Sequence, residues 1–403
     1  MLIKANSLLY AVYVCLIVAI ICSGLLYFSG LYRMLNLYYN TREALYIQND
    51  SALQYFLSKG TPSAEDLITE DGIISKVHFK NHGLLKVAIV QSIYHNDTLN
   101  SSHFVGSYIS NSTALHLAQF SPQISYSGLV TLIGDKVLPY ANINERYIGS
   151  NPNVLISKGK ISSSSGLLPS IRSDFKNGLI DMSSSLANAE DIGSNPRGAY
   201  FNSFENPTIK IISDYTIGLK RVKGNFIITS NDSLELDKTL SIEDVIISAP
   251  VVKIRRGFSG SVQIFATQKV VVEEDVILQY PSSVVLYNDS EENGEIIIGK
   301  NSTVKGAVVL YGNPIESINQ NNIRLLENSL IVGDVYASGK IIMDGKVYGT
   351  VYAYRLCGQN SQSIYENCLI DTTIDVSLRP DYFVSIPLFN EKKVSFEPIK
   401  KVF

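Results

Sequence analysis

The sequence predicts a mainly β protein: a parallel β-helix behind an N-terminal transmembrane helix and a small strand-rich unit. Three observations predict it. The stretch "LIVGDVYASGKIIMDGKVYGTVYAY" (330–354) repeats its own pattern, with Gly333 and Gly349 16 residues apart. Short β-branched runs broken by Gly, Ser, Asn and Asp fill the chain from about Tyr126. One long apolar run carries no charge between Lys4 and Arg33.

The bulk composition sets the frame. The chain has 403 residues, enough for two or three structural units. A net charge of -3 gives no electrostatic case for nucleic acid. No Trp and 24 Tyr, with abundant Ser and Asn, suit exposed β-structure with polar turns.

The apolar run, "SLLYAVYVCLIVAIICSGLLYFSGLY", exceeds the ~20 residues a helix needs to cross a bilayer. It is too long for the ~7–15-residue core of a cleaved signal peptide, and no A-x-A site follows it. Residues 7–32 are therefore expected to contact lipid as an uncleaved single-pass anchor. Lys4 on one flank and Arg33 and Arg42 on the other orient it poorly. Past the span, Leu31, Met34, Leu35, Tyr38, Leu45, Ala52 and Phe56 recur at helical spacing, and Gly60 and Pro62 offer a stop. Residues 1–60 thus read as anchor and stem.

Residues 61–125 read as a small α+β or β unit. "SKVHFK" and "LLKVAIVQSIYH" alternate about Asn81-His82-Gly83, a hairpin turn. All five histidines lie between His78 and His116, yet none of the spacings is that of a metal site on a helix, so no metal is expected.

Residues 126–378 carry the repeat. Segments beginning at Asn225, Asp244 and Ser261 each open on an apolar strand, take a small or polar step, and continue in a second strand. A period of ~16–20 residues is too short for a propeller blade and fits one coil of a parallel β-helix. Gly306, Gly333 and Gly349 are the expected repeat corners. Val335 and Val351 are expected to stack inside, with Tyr336 and Tyr352 outside, because neighbours on a strand face opposite ways. Insertions are expected near 166–207 and 313–329. The tail, 379–403, reads as a cap or terminal extension for the last coil.

Cys357 and Cys368 bracket a polar loop and are a candidate disulfide, which would imply an oxidising compartment and so a periplasmic location for the bulk of the chain. Lys253, Arg255 and Arg256, with Glu273, Glu274 and Asp275, are the groups that stacked coils could assemble into a carbohydrate-active site. Charge at solvated coil corners accounts for them as well. No phosphate-binding loop and no G-x-S-x-G elbow is present. No catalytic residue or cofactor is therefore assigned.

Within "LVTLIGDKVLPYANINERYIGS", the residues Gly134, Asp135, Leu138, Pro139 and Ile143 form a G-D-x-x-L-P-x-x-x-I motif. With it the chain resembles uncharacterised bacterial membrane-anchored β-helix proteins whose N-terminal helix is pilin- or pseudopilin-like. The pilin Gly-Phe processing site and its early Glu are missing here. The V-x-G-x-V steps about Val304, Val332 and Val347 make the last coils resemble bactofilins, polymer-forming β-helix scaffolds. Neither resemblance brings catalytic residues. Together they imply a membrane-anchored, non-enzymatic envelope protein, in a pilus-like or secretion apparatus or in self-association. The alternatives are a carbohydrate-active or carbohydrate-binding β-helix protein and a cytoplasmic bactofilin-like scaffold.

Overall fold

The computed structural model describes residues 5–59, 67–69, 72–108, 112–118, 123–148, 152–172, 190–191, 198–213, 220–290, 292–312, 321–360, 363–386, 388–389 and 395–402. Contacts divide the chain into two compact units. One holds Met1–Phe56, Ser63–Val77 and Val90–Asn100; the other holds Leu57–Pro62, His78–Ile89 and Ser101–Phe403. The strand-rich unit expected over 61–125 is therefore divided between them. The long strands Ile74–His82, Leu85–Tyr94 and Asp97–Tyr108 contribute residues to both.

In the first unit a single helix runs from Ala5 to Lys59. It is long and apolar enough to cross a membrane, and the apolar window within it is bare. The expected amphipathic stripe changes character along its length. Leu31, Met34, Leu35 and Tyr38 are exposed, whereas Leu45, Ala52 and Phe56 are buried. Leu45, Asn49, Ala52, Leu53 and Phe56 make one helical face. Asn49 is the polar member of that face, and its Nδ2 donates to Val90 O, Ser92 Oγ and Leu99 O, each at 3.3 Å. A buried amide stays there only because its hydrogen-bonding capacity is used.

The second unit is built on parallel ladders. One runs through Arg221–Gly224, Ser241–Ser248, Ser259–Ala266, Ile277–Asn288, Thr303–Gly312, Leu330–Met343, Lys346–Tyr348 and Thr373–Asp375. Several of these strands are long enough to turn a corner and enter a second ladder, which begins at Glu190–Asp191 and passes through Ile209–Ile212 and Phe226–Thr229. A third links Ser233–Leu236, Val251–Ile254, Lys269–Val272, Glu295–Ile298 and Asn322–Leu325 to the far ends of Leu330–Met343 and Val351–Gln359. The chain visits the three in turn and returns to the first.

Register explains the core. The second ladder aligns Ile211, Ile228, Ile247, Ile264, Val284, Val308, Val335 and Val351 in one line. The third aligns Leu234, Val252, Val270, Ile296, Ile323, Ile341 and Leu356. Both lines belong to one buried cluster. Each β-branched side chain meets a like neighbour one strand away, so a single residue choice serves every layer.

Corners are set by backbone conformation. Gly306, Gly333 and Gly349 stand between the first and second ladders with φ of 146°, 135° and 158°. A Cβ on Gly333 would collide with the Gly306 carbonyl oxygen, and one on Gly349 with that of Gly333. Sequence reading missed the partner corner. Between the third and first ladders, Asp275, Asn301 and Asn328 all take φ 57°, a left-handed conformation that Asn and Asp tolerate.

Three expectations need correction. First, the strands do not pair in chain order throughout. The late strand Val351–Gln359 pairs with the early strand Thr113–Leu117, and Thr373–Asp375 pairs with Leu129–Ile133. The edge left by the late strands is thus covered by the early ones, with Val351 on Leu115 and Ile374 on Leu132. Freed from capping, the tail strand Ser395–Val402 pairs antiparallel with Ser102–Tyr108. Second, the expected insertions contain ladder strands: Ala199–Asn202 pairs with Arg221–Gly224, and Asn322–Leu325 with Glu295–Ile298. Most of 166–207, and 313–320 of the second insertion, lie outside the described residues or between such strands. Third, Tyr336 and Tyr352 face out from the ladder but are only 4% and 7% exposed. They continue an outer line, Phe265, Val285 and Val309, that is itself apolar. A second cluster including Leu85, Phe104, Ile386, Leu388 and Val402 covers that line.

At the end strands Val154–Lys158 and Ile161–Ser163, two interior lines turn polar, although Leu155 still follows Val130 and packs on the core. Leu132 is followed in its line by Ser157, and Leu138 by Ser163. Leu115 is followed by Lys136, which is fully buried. Its Nζ donates to Gly134 O (2.9 Å) and Lys158 O (2.7 Å). Burial holds that ammonium below the ordinary lysine value, and Asp135 acts against it. Replacing greasy interior positions by hydroxyls and a satisfied ammonium blunts a sheet edge.

Candidate functional site

The charged residues singled out from sequence do come together on stacked strands. Lys253 lies between Glu235 and Val271 in register. Its Nζ is 3.2 Å from Glu273. Arg255 pairs with both Glu235 and Glu273, and Arg256 with Asp275 at 2.7 Å. Burial alone would raise the Glu273 carboxyl. Hydrogen bonds from the Arg256 amide, Lys253 and Arg255 outweigh it and leave its pKa below the ordinary value. A general acid needs the opposite shift. Every cation of the group already faces a carboxylate, which is the pattern of a solvated ion-pair ladder.

The family-motif residues are a corner as well. Gly134 takes φ 127°. Asp135 ties the coil down, accepting from the Lys160 amide (2.8 Å) and from Ser112 Oγ (2.7 Å). Those contacts hold its carboxyl below the usual range. Leu138 is buried and Ile143 packs on the same core. Pro139 is half-buried.

Histidines go separate ways. His82 is buried, its Nε2 3.1 Å from Asp244 O. His116 Nε2 lies 3.2 Å from Leu167 O, and His103 Nε2 3.2 Å from Ser101 Oγ. Among the described residues no three His, Cys, Asp or Glu side chains gather as a metal site.

The disulfide expected between Cys357 and Cys368 is not formed; both are free, buried thiols. Cys357 faces Glu366 across its hairpin, so Cys368 falls at a diagonal position. The strand carrying Cys368 pairs instead with Ser125–Ser127. Burial pushes the Cys357 thiol up to about 11, and burial also raises Cys368. Neither thiol is expected to react with a maleimide or with Ellman's reagent at neutral pH while the protein is folded. Both should react once it is denatured without reductant. Recovery of a linked Cys357–Cys368 peptide after alkylation would contradict this.

A feature absent from the sequence reading lies where the second ladder turns toward the third. A depression of about 200 Å³ is lined by Thr229, Asn231, Ser248, Phe265, Thr267 and Tyr287, among others. Tyr287 stacks on Tyr311, its register partner, with ring centroids 5.9 Å apart and planes at 10°. Among the described residues, no charged side chain lines the depression.

No family model, no curated protein and no solved structure matches the chain. The functional reading therefore rests on the geometry of this molecule.

Proposed function

We propose that the chain is a membrane-anchored, non-enzymatic structural or assembly protein of a bacterial cell envelope, its ladders wound as a β-helix that acts as a rigid spacer or docking surface. The observation that carries the reading is the bare helix. Leu16, Ile17, Val18, Ile20 and Ile21 are each more than half exposed, so the apolar surface runs all round. A helix apolar on every side suits hydrocarbon and is poorly tolerated in water. The continuation of the helix as a stem through Lys59 supports the narrower form, a component of a pilus-like or secretion apparatus. The β-helix reading is supported by three ladders visited in turn around one shared cluster. The ion-paired state of Glu273 and Arg255 supports a non-enzymatic role.

The test is fractionation of cells expressing the full chain. It should sediment with membranes, resist alkaline extraction and dissolve in detergent; deletion of residues 7–32 should release it. Crosslinking in intact cells should then join the full chain to envelope components. Extraction by alkali, or crosslinks only to abundant random neighbours, would sink the proposal. Protection of the body from protease in spheroplasts would favour the cytoplasmic scaffold instead.

A further inference from the structure

We propose that Lys400 and Asp244 join spontaneously in an intramolecular amide, a covalent clasp between the C-terminal strand and the strand Ser241–Ser248. Both residues belong to the second unit. Each sits at an irregularity of its strand. The register of Ser241–Ser248 against Ser259–Ala266 shifts between Glu243 and Val245, so Asp244 is the extra residue, and its φ is 63°. The register of Ser395–Val402 against Asp97–Tyr108 shifts between Pro398 and Lys400, which sets Lys400 opposite Phe104. Residues directly opposite across an antiparallel pair share a face. Phe104 is 1% exposed and packs on His82 and Phe204. One bulge thus turns a lysine to the side taken by a buried aromatic, and the other presents an aspartate to it.

Lys400 Nζ lies 2.7 Å from Asp244 Oδ1 and 3.7 Å from Glu243 Oε1. Ser261 Oγ donates to the same Asp244 oxygen at 2.9 Å. The Asp244 side chain is 2% exposed and that of Lys400 28%. In the other lysine–carboxylate pairs among the described residues the carboxylate is at least 21% exposed. Burial disfavours separated charges, and it raises the Asp244 carboxyl against the pull of Lys400. Passing one proton from the ammonium to the carboxylate leaves a neutral amine against a neutral acid, the two partners that amide formation needs. The Nζ lone pair then attacks Cγ, while Ser261 Oγ holds the carboxyl in place. Glu243, anchored through its other oxygen to Lys223 at 3.0 Å, takes the surplus proton from the nitrogen and delivers it to the departing hydroxyl. The Nζ–Cγ bond forms, one Cγ–O bond breaks, and water leaves; nothing is oxidised or reduced. Linkage ends the titration of Asp244, so any pH response that involves that carboxyl belongs to the unlinked chain, which Lys400→Arg preserves. This inference does not depend on the anchor or on any envelope partner.

The experiment uses the full chain, purified in detergent and held overnight at neutral pH. It is then denatured, digested with trypsin and sequenced by mass spectrometry. Peptides 239–253 and 394–401 should appear as one branched species, one water lighter than their sum, with Lys400 uncut. Lys400→Arg keeps the ion pair but lacks the nucleophilic amine, and should lose the species entirely. Glu243→Gln should reduce its yield at least ten-fold. Asp244→Asn should give a branched species of the same mass as the parent's, because ammonia leaves in place of water. A circular-dichroism spectrum like the parent's qualifies each variant, and the parent digest decides alone where a variant fails to fold. Recovery of the two peptides separately and at full mass overturns the proposal and leaves an ordinary buried ion pair. Loss of water without branching, as in a succinimide elsewhere, also overturns it, as does a branched species that survives Lys400→Arg.

Discussion

Gly333→Val should cost the protein its fold, or at least ~4 kcal/mol of stability, the range reserved for substitutions with a specific steric cause. Two penalties act together. A φ of 135° is closed to a β-branched residue. The added Cβ would also run into the Gly306 carbonyl oxygen and the Phe383 ring. Neither can retreat, since Gly306 is itself held in register against Gly333 and Ser282. Gly257→Ala is the control. Its φ of 78° lies beside the left-handed region that Ala reaches at modest cost, and nothing lies within 4 Å of the new Cβ. That variant should lose only about 1 kcal/mol. Denaturant unfolding of the two variants beside the parent separates collision from conformation. A Gly333→Val protein as stable as Gly257→Ala would show that the glycine stack does not set the spacing of the strands.

Acid should loosen the second unit through His82. The ring is wholly buried, stacked on Phe104 at 5.7 Å and edge-on to Phe204 at 4.8 Å. Its Nε2–H donates to Asp244 O, and Gln263 locks the adjoining backbone, donating to His82 O (2.9 Å) and accepting from Leu84 N (2.8 Å). Burial pushes the imidazole pKa down to about 4; the bond to Asp244 O acts the other way, and Lys80 adds to the lowering. The sign follows from proton counting. Between pH 6.5 and about 4 the unfolded chain binds a proton that the folded chain refuses, so stability is full above 6.5 and falls with pH. The full loss, near 2.5 pH units, is about 3 kcal/mol. Asp244 opposes it at the acid end. Its carboxyl is raised by burial, against the pull of Lys400, so the folded state takes up that proton more readily than the unfolded one. Unfolding curves from pH 7 to 4 should show the decline, and His82→Gln should flatten it. An unchanged slope in the variant would assign the acid sensitivity elsewhere.

The repeat was legible in the sequence because parallel pairing in register imposes the same demand on every strand of a ladder. Val335 and Val351 answer to one inner line, and Gly333 and Gly349 to one corner. The Asp275, Asn301 and Asn328 corner was harder to see, since those residue types are also ordinary turn and surface residues. The double burial of Tyr336 and Tyr352 was not legible. Alternation tells which side of a strand a residue takes, not whether another segment covers that side. Stacking order was invisible for a related reason. Local pattern marks each strand but does not say which strand edge meets which, and Val351 meets Leu115 across most of the chain. The depression escaped notice because it is made by what is missing, bulk at Thr267 and Pro250 beside Tyr287.

The pairing of late strands with early ones has a consequence for how the protein is made. Thr350 Oγ1 donates to Thr113 O across 237 residues of chain. At ~5–20 residues per second, a ribosome needs on the order of ten to fifty seconds to emit that interval. Throughout that time the strands Thr113–Leu117 and Leu129–Ile133 exist without the neighbours that complete them. The nascent polypeptide thus carries an unsatisfied β edge, for which pairing with another growing copy is the ready error. Translation speed and holdase supply, rather than the strength of any one contact, then govern the yield of correctly assembled molecules.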